Sequence, residues 1–324
     1  MSIFTIIAFS LVYFVLAISA QCVFITRVKE TGAGQVIKDY GPESHKKKSG
    51  TPTMGGLIAL FLAPVIVISS YQWRLANISG MVSIWLYPIF AALVGLADDT
   101  LKYKNASSEG LKSLQKLALQ FAVTVPWAVW TARDGISLLP SIEISAAWGT
   151  ALLMFLGVGA LNAVNVTDGL DGLAGGTVAI SLISILFWAS NESVTLSASA
   201  GFAVALAFLW HNFNPAELFM GDVGAHLWAA LLLTLCVESR AALLAIPTCF
   251  IFGVEIVTVA IQIVSIRKYK KKIFRMSPLH HHYELCGWKE QKIVARFYVA
   301  HIVGISLIML IITYLFGEIW PNVR

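Results

Sequence analysis

The sequence predicts an all-α polytopic integral membrane protein of about ten transmembrane helices, on three observations. The 324 residues are 57% apolar and only 13% charged, against roughly 25% charged in an average soluble domain. The apolar residues gather into runs near the ~20 residues that cross a bilayer as a helix. In addition, 19 of the 23 lysines and arginines fall in alternate connecting segments. Together these exclude a soluble globule, a disordered chain and a disulfide scaffold. Cys22, Cys236, Cys249 and Cys286 have no paired spacing, so neither a disulfide framework nor a zinc site is expected.

In chain order the apolar runs cover about 2–24, 54–71, 80–97, 112–131, 146–164, 173–190, 196–211, 224–238, 241–266 and 294–317. Those at 196–211 and 224–238 are short for a span. The first run contains Ala17-Ile18-Ser19-Ala20, which looks like a signal-peptide cleavage site. No basic residue precedes it, however, and its core is longer than the usual ~7–15 residues, so it reads as a retained helix. Placing the N-terminus outside puts six basic residues inside after the first helix (Arg27, Lys29, Lys38, Lys46, Lys47 and Lys48). Four more lie there around the third and fourth helices (Lys102, Lys104, Lys112, Lys116), and nine between Arg267 and Arg296. Only Arg74, Arg133, Arg240 and Arg324 remain outside, a strong positive-inside bias. Ten crossings return the C-terminus to the extracytoplasmic side. Residues 1–324 then form a single membrane-embedded domain with its working face toward the cytoplasm. The net charge of +5 needs no nucleic-acid partner.

The carboxylates sharpen this picture. Five of the seven aspartates sit in three short inner motifs, and ionisable groups at the ends of apolar helices tend to mark function. Asp98-Asp99-Thr100-Leu101-Lys102 closes the third run, with Asp98 and Lys102 one helical turn apart. It reads as a helix-end ion pair, or as paired carboxylates for a divalent cation or for proton transfer. The segment from Asn162 to Gly176 holds Asn165, Asp168 and Asp171 among glycines, with Asp168 and Asp171 on one face if the segment is helical. It could bring backbone against an anion, and it lacks the ligand run of a calcium loop. Asn212 to His226 links two runs and places Asp222 in a tight turn, where it serves either a metal or a plain helix N-cap.

Two further loops carry cations. His280-His281-His282 could meet a metal or phosphate oxygens, although neighbouring histidines cannot all face one point. Lys46-Lys47-Lys48 precedes Ser49-Gly50-Thr51-Pro52-Thr53 and suits either phosphate or anionic lipid, without the spacing of a P-loop. Magnesium-type oxygen ligands, phosphate partners and a membrane-embedded body point to phosphoryl transfer at the inner leaflet, with a lipid co-substrate.

Asp98-Asp99-x-x-Lys102, Asn165-x-Thr167-Asp168-Gly169-Leu170-Asp171-Gly172 and Gly221-Asp222 resemble the polyprenyl-phosphate N-acetylhexosamine-1-phosphate transferase superfamily over nearly the whole chain. Ser49 to Gly56, Pro278 to His282 and Gly287-Trp288-x-Glu290 narrow the resemblance to the phospho-N-acetylmuramoyl-pentapeptide transferases. That resemblance implies a bacterial plasma-membrane enzyme, usually a homodimer. It would move the phosphosugar of UDP-MurNAc-pentapeptide onto undecaprenyl phosphate with Mg²⁺, giving UMP and lipid I. It implies that Asp222 binds Mg²⁺, that Asp98 deprotonates the lipid phosphate and that Asp99 supports them. Lys48, Asp171, Asn212 and Phe219 would lie near the uridine, with Phe219 stacked on uracil. Thr53, Lys102, Lys116, Asn165, Asp168, His280, His281 and His282 would complete the phosphate and sugar environment. One-step displacement and a covalent two-step route stay open.

Three alternatives compete. A sister enzyme would use a GlcNAc-1-phosphate donor. A cation-coupled transporter would carry carboxylates at the bilayer midplane, where Glu255 alone fits. A scaffold for cell-wall assembly would have no chemistry of its own.

Overall fold

The computed structural model describes residues 1–31, 50–105, 107 and 109–316, most of them helical. Their order is α1 (Ile3–Thr31), α2 (Gly56–Gln72), α3 (Ile78–Lys104), α4 (Ser113–Thr131), a hairpin, α5 (Ala146–Thr167), α6 (Leu173–Leu186), α7 (Glu192–Asn212) and α8 (Gly221–Glu238). There follow α9 (Ala245–Thr248), α10 (Phe250–Val264), α11 (Leu279–Leu285) and α12 (Glu290–Phe316). Helix starts follow local chemistry. The Asn77 side chain accepts the Gly80 N–H at 2.7 Å and Asn191 accepts that of Val194 at 2.9 Å, capping α3 and α7.

Among the described residues, seven helices are long and apolar enough to cross a membrane: α1, α3, α5, α7, α8, α12, and α10 with its continuation to Tyr269. α7 and α8 reach that length because they begin at Glu192 and Gly221, before the apolar runs themselves. α2 and α6 are apolar but shorter. α4 opens on two polar turns carrying Gln115, Lys116 and Gln120.

Two local expectations change, and one connecting segment proves to be ordered. The run at 241–266 is not one helix: a 3₁₀ turn at Ala242–Leu244, α9 and α10 succeed one another, broken at Cys249. Pro247 cannot donate to a helical ladder, and the Thr248 carbonyl instead accepts the Ser181 hydroxyl at 2.6 Å. The polar link after α4 is an antiparallel hairpin, β1 (Ile136–Leu139) and β2 (Ile142–Ile144). Finally, Asp168 and Asp171 do not share a helical face. α5 stops at Thr167, and residues 168–172 form a turn ending on Gly172 at φ +83°, a backbone geometry that favours glycine.

α8 is buried on every side from Asp222 to Cys236, as expected of a helix apolar all round. α2, α3 and α5 pack against it. Glycines set how close they come. A Cβ at Gly95 would lie 2.2 Å from the Asp222 carbonyl oxygen, and one at Gly56 would lie 2.1 Å from the Gly224 Cα. Backbone therefore touches backbone at the end of α8 that carries Asp222. The segment before α2 completes this end: Phe219 N–H donates to the Pro52 carbonyl at 2.8 Å, and Gly55 N–H returns a bond to the Phe219 carbonyl at 2.8 Å.

α10 and its continuation carry a buried polar stripe of Glu255, Thr258, Gln262 and Ser265, spaced to share one face. Gln262 Oε1 accepts Ile273 N–H at 3.0 Å and Phe274 N–H at 3.1 Å, and Ser265 donates to the Lys271 carbonyl at 2.8 Å. Glu255 accepts the N–H groups of Leu279 and His280 at 2.6 and 3.2 Å. Leaving such a buried group unpaired costs about 1–3 kcal/mol, so the stripe fixes the loop that leads into the histidines.

Candidate active site

Gly95 lies one turn before Asp98 and Asp99 on α3, and its contact with α8 brings both carboxylates against Asp222. Oxygens of Asp98, Asp99 and Asp222 all lie within 4.8 Å of one another, and all three residues are buried. Each is fixed from a second direction. Asp98 Oδ1 accepts the Leu111 N–H at 2.7 Å, and Asp99 Oδ2 accepts the Val223 N–H at 3.0 Å. Asp222 Oδ1 accepts the Asn165 amide at 2.7 Å. Gly221, at φ +72°, leaves room for this: a Cβ there would lie 2.6 Å from Asp99 Oδ2.

Two ammonium groups offset the three carboxylates. Lys102 Nζ lies 2.7 Å from Asp98 Oδ2, 3.1 Å from Asp222 Oδ1 and 3.4 Å from Asp99 Oδ1. Lys116 Nζ touches Asp222 Oδ2 and lies 3.8 Å from Asp98 Oδ2. The α3 turn therefore does hold the Asp98–Lys102 ion pair, but as part of a larger cluster. The plain N-cap role for Asp222 does not hold: residue 220 is the cap, and the Asp222 side chain is spent on Lys102, Lys116 and Asn165. Three hard oxygen donors so close together, with one negative charge in excess, fit a magnesium ion by donor type and charge.

Behind Asp222 stands a network absent from the sequence reading. His226 is fully buried, and its Nδ1–H donates to the Asp222 carbonyl at 2.7 Å. Its Nε2 lies 3.0 Å from the Gln120 amide nitrogen, and Asn162 donates to Gln120 Oε1 at 2.9 Å. The i, i+4 spacing of Asp222 and His226 was the only signal in the sequence.

The remaining candidates divide. Asp168 is half-buried, and burial together with the like charges of Asp222, Asp99 and Asp171 raises its carboxyl to about 7. It thus belongs electrostatically to the cluster. Asp171 faces the other way, accepting the Asn214 amide at 3.0 Å and the Ala216 N–H at 3.1 Å. Glu290 joins it, accepting the Asp171 N–H at 2.6 Å and the Asn214 amide at 3.2 Å. Asn212 is buried and bridges the Gly172 N–H and the Leu218 carbonyl, at 3.0 and 2.8 Å. In this structure these groups brace the turn and the α7–α8 link. Thr53 and Phe219 are half-buried on the two paired segments beside the cluster. Lys48, with the rest of its basic loop, lies outside the described residues.

The three histidines diverge on α11, as adjacency requires. His280 is buried with Nδ1 3.2 Å from Glu255 Oε1, and burial lowers its pKa. His281 Nδ1 lies 2.6 Å from Glu284 Oε2, and His282 Nδ1 accepts the Arg275 N–H at 3.1 Å. No single point receives all three. Glu255, the one carboxylate deep in a predicted span, is thus committed to α11 and His280.

Known proteins supply an independent line. The glycosyl transferase family 4 profile matches residues 81–240, which carry all three aspartate motifs. A phospho-N-acetylmuramoyl-pentapeptide-transferase signature matches residues 48–58. The chain is 37% identical to the phospho-N-acetylmuramoyl-pentapeptide-transferase of Halalkalibacterium halodurans over 319 residues, 95% of each chain. It is 38% identical to that of Dictyoglomus thermophilum over 280 residues, 85% of this chain and 87% of the relative. The transferase of Bacillus mycoides is 35% identical over 297 residues, 89% of this chain and 91% of its own. With similarity of this extent joined to the acidic cluster, the chain belongs to the phospho-N-acetylmuramoyl-pentapeptide-transferase family of glycosyl transferase family 4.

Proposed function

We propose that the protein transfers phospho-MurNAc-pentapeptide from UDP-MurNAc-pentapeptide to undecaprenyl phosphate, giving lipid I and UMP. The observation that carries this reading is the convergence of Asp98, Asp99 and Asp222 with Lys102 and Lys116 in a chain of this family. A lipid phosphate oxygen attacks the β-phosphorus of the donor, the bond to the UMP oxygen breaks, and the new diphosphate stays in the membrane. Asp222, beside Asp98 and Asp99, would hold Mg²⁺, which would offset charge on the donor diphosphate and the leaving UMP. Asp98, whose Oδ1 accepts the Leu111 N–H, takes the proton of the lipid phosphate. Lys102 and Lys116 then turn from carboxylates toward phosphate oxygens. Holding both reactants in this setting supplies much of the rate by proximity, which favours the single displacement.

The membrane arrangement belongs to the same proposal. α2, α4 and α6 cross with the seven longer helices, giving ten crossings, both termini outside and the cluster on the cytoplasmic face of the bacterial plasma membrane. The working unit is a homodimer. A cation-coupled transporter loses its main support, because Glu255 is tied to Leu279 and His280. The test is UMP release by purified protein given undecaprenyl phosphate and Mg²⁺, with UDP-MurNAc-pentapeptide and UDP-GlcNAc in parallel and an EDTA control. Release from the muramyl donor alone supports the proposal. Release from UDP-GlcNAc alone moves the protein to the sister chemistry, and release from neither overturns the transfer.

A further inference from the structure

Glu255 and His280 are both fully buried, yet one nitrogen between them has no hydrogen-bond partner among the described residues. A carboxylate can only accept, so the contact between Glu255 Oε1 and His280 Nδ1, at 3.2 Å, places a proton on Nδ1. The same carboxylate accepts the N–H groups of Leu279 and His280, which fixes the backbone under the ring as well as the ring itself. Nε2 is left buried and without a hydrogen bond among the described residues. It points at the turn between α5 and α6, lying 2.3 Å from where a Cβ on Gly169 would sit. The Gly169 N–H does not satisfy it, being spent on the Thr167 carbonyl at 2.8 Å. The neighbour of Gly169 in the chain is Asp168, which feels the charges of Asp99 and Asp222. Buried orphan nitrogens are rare and ask for an explanation.

We infer that Glu255 is a positioning residue for the transfer: it locks His280 with Nδ1 protonated, so that Nε2 is held at the Asp168–Gly169 turn to accept a hydrogen bond from a hydroxyl or amide N–H of the bound sugar nucleotide. The inference rests on the transfer proposed above. Gly169 is part of the device, because the imidazole fills the space that any side chain at 169 would need. His281 and His282 have their own partners and do not share the task.

The test is a set of double-mutant cycles on purified protein, reading kcat and KM for the sugar nucleotide by UMP release, with melting temperature as the folding control. Glu255→Gln keeps the shape but turns an amide NH₂ toward one of the three donors that Glu255 now accepts. Its kcat/KM is expected to fall at least tenfold in the wild-type background and by no more than twofold in a His280→Ala background. A merely structural Glu255 would cost the same factor in both. Gly169→Ala provides a second route should Glu255→Gln not fold: it displaces the ring without touching the carboxylate. It is expected to lose at least tenfold alone, and to lose nothing further in His280→Ala, where the Cβ has room. Near-normal turnover in folded Glu255→Gln or in Gly169→Ala overturns the inference, as does full additivity with His280→Ala. The wild-type protein, assayed alongside, separates this from the transfer itself: failure to release UMP there removes both, whereas an active wild type with active variants removes only the role of Glu255.

Discussion

Lys102→Met removes the one cation among the described residues that touches all three carboxylates, so its effect can be worked from the geometry. The ammonium lies 2.7, 3.1 and 3.4 Å from Asp98, Asp222 and Asp99. Without it, Lys116 still holds Asp222, but Asp99 is left with backbone N–H groups, those of Val223 and Asp222, and no cation in contact among the described residues. Two unit charges at the 4.8 Å limit of the cluster repel by about 3.5 kcal/mol at an effective dielectric of ~20. Removing one partner of a buried ion pair costs about 3–5 kcal/mol, and a Lys102 side chain 30% exposed to solvent argues for the lower end. At about 2 °C per kcal/mol for a chain of this size, the variant should melt about 6 °C below wild type. The assay is thermal unfolding in detergent, followed by tryptophan fluorescence in EDTA. Adding Mg²⁺ should recover most of the loss, because a divalent ion restores positive charge to the same oxygens. A Lys102→Met protein that melts within 1 °C of wild type in EDTA would refute the cluster as described.

Gly95→Ala sets a methyl 2.2 Å from the Asp222 carbonyl, where backbone cannot yield. It should cost about 1–3 kcal/mol by overpacking and, by parting α3 from α8, about 100-fold in turnover, read by melting and UMP release. Asp168, raised to about 7, gives a pH signature. The folded protein holds a proton that the unfolded chain releases above about 4, so this group withdraws stability as pH climbs from about 4 to 7. Asp168→Asn, which mimics the protonated form, should therefore raise the melting temperature more at pH 8 than at pH 5; an equal rise at both would contradict the shift.

The fold was legible where length and apolarity decide it, and less so where single contacts do. The long helices were plain from apolar runs, because a bilayer admits few other solutions. The break at Cys249 was hidden in continuous apolar sequence, and it depends on Pro247 and on a carbonyl captured by Ser181 from 67 positions away. Within the site, Asp98 and Lys102 could be paired from helical spacing, and the structure keeps that pair. The convergence of Asp222, Asn165 and Lys116 depends instead on α3, α4, α5 and α8 meeting at one end, α3 and α8 through the Gly95 contact, which no local pattern encodes. Asp171 shows the opposite limit. It looked equivalent to Asp168, yet the glycine-rich turn sends the two carboxylates to different neighbours. Glu255 stood out as an intramembrane carboxylate, but its partner lies across a loop at His280, beyond the reach of periodicity.

The most direct test of the account compares wild type with Asp222→Asn, measuring Mg²⁺-dependent UMP release from UDP-MurNAc-pentapeptide and undecaprenyl phosphate. The account predicts release by the wild type, abolished by EDTA, and at least a 100-fold loss in an Asp222→Asn protein that still melts cooperatively. Turnover in folded Asp222→Asn within a fewfold of wild type would contradict it.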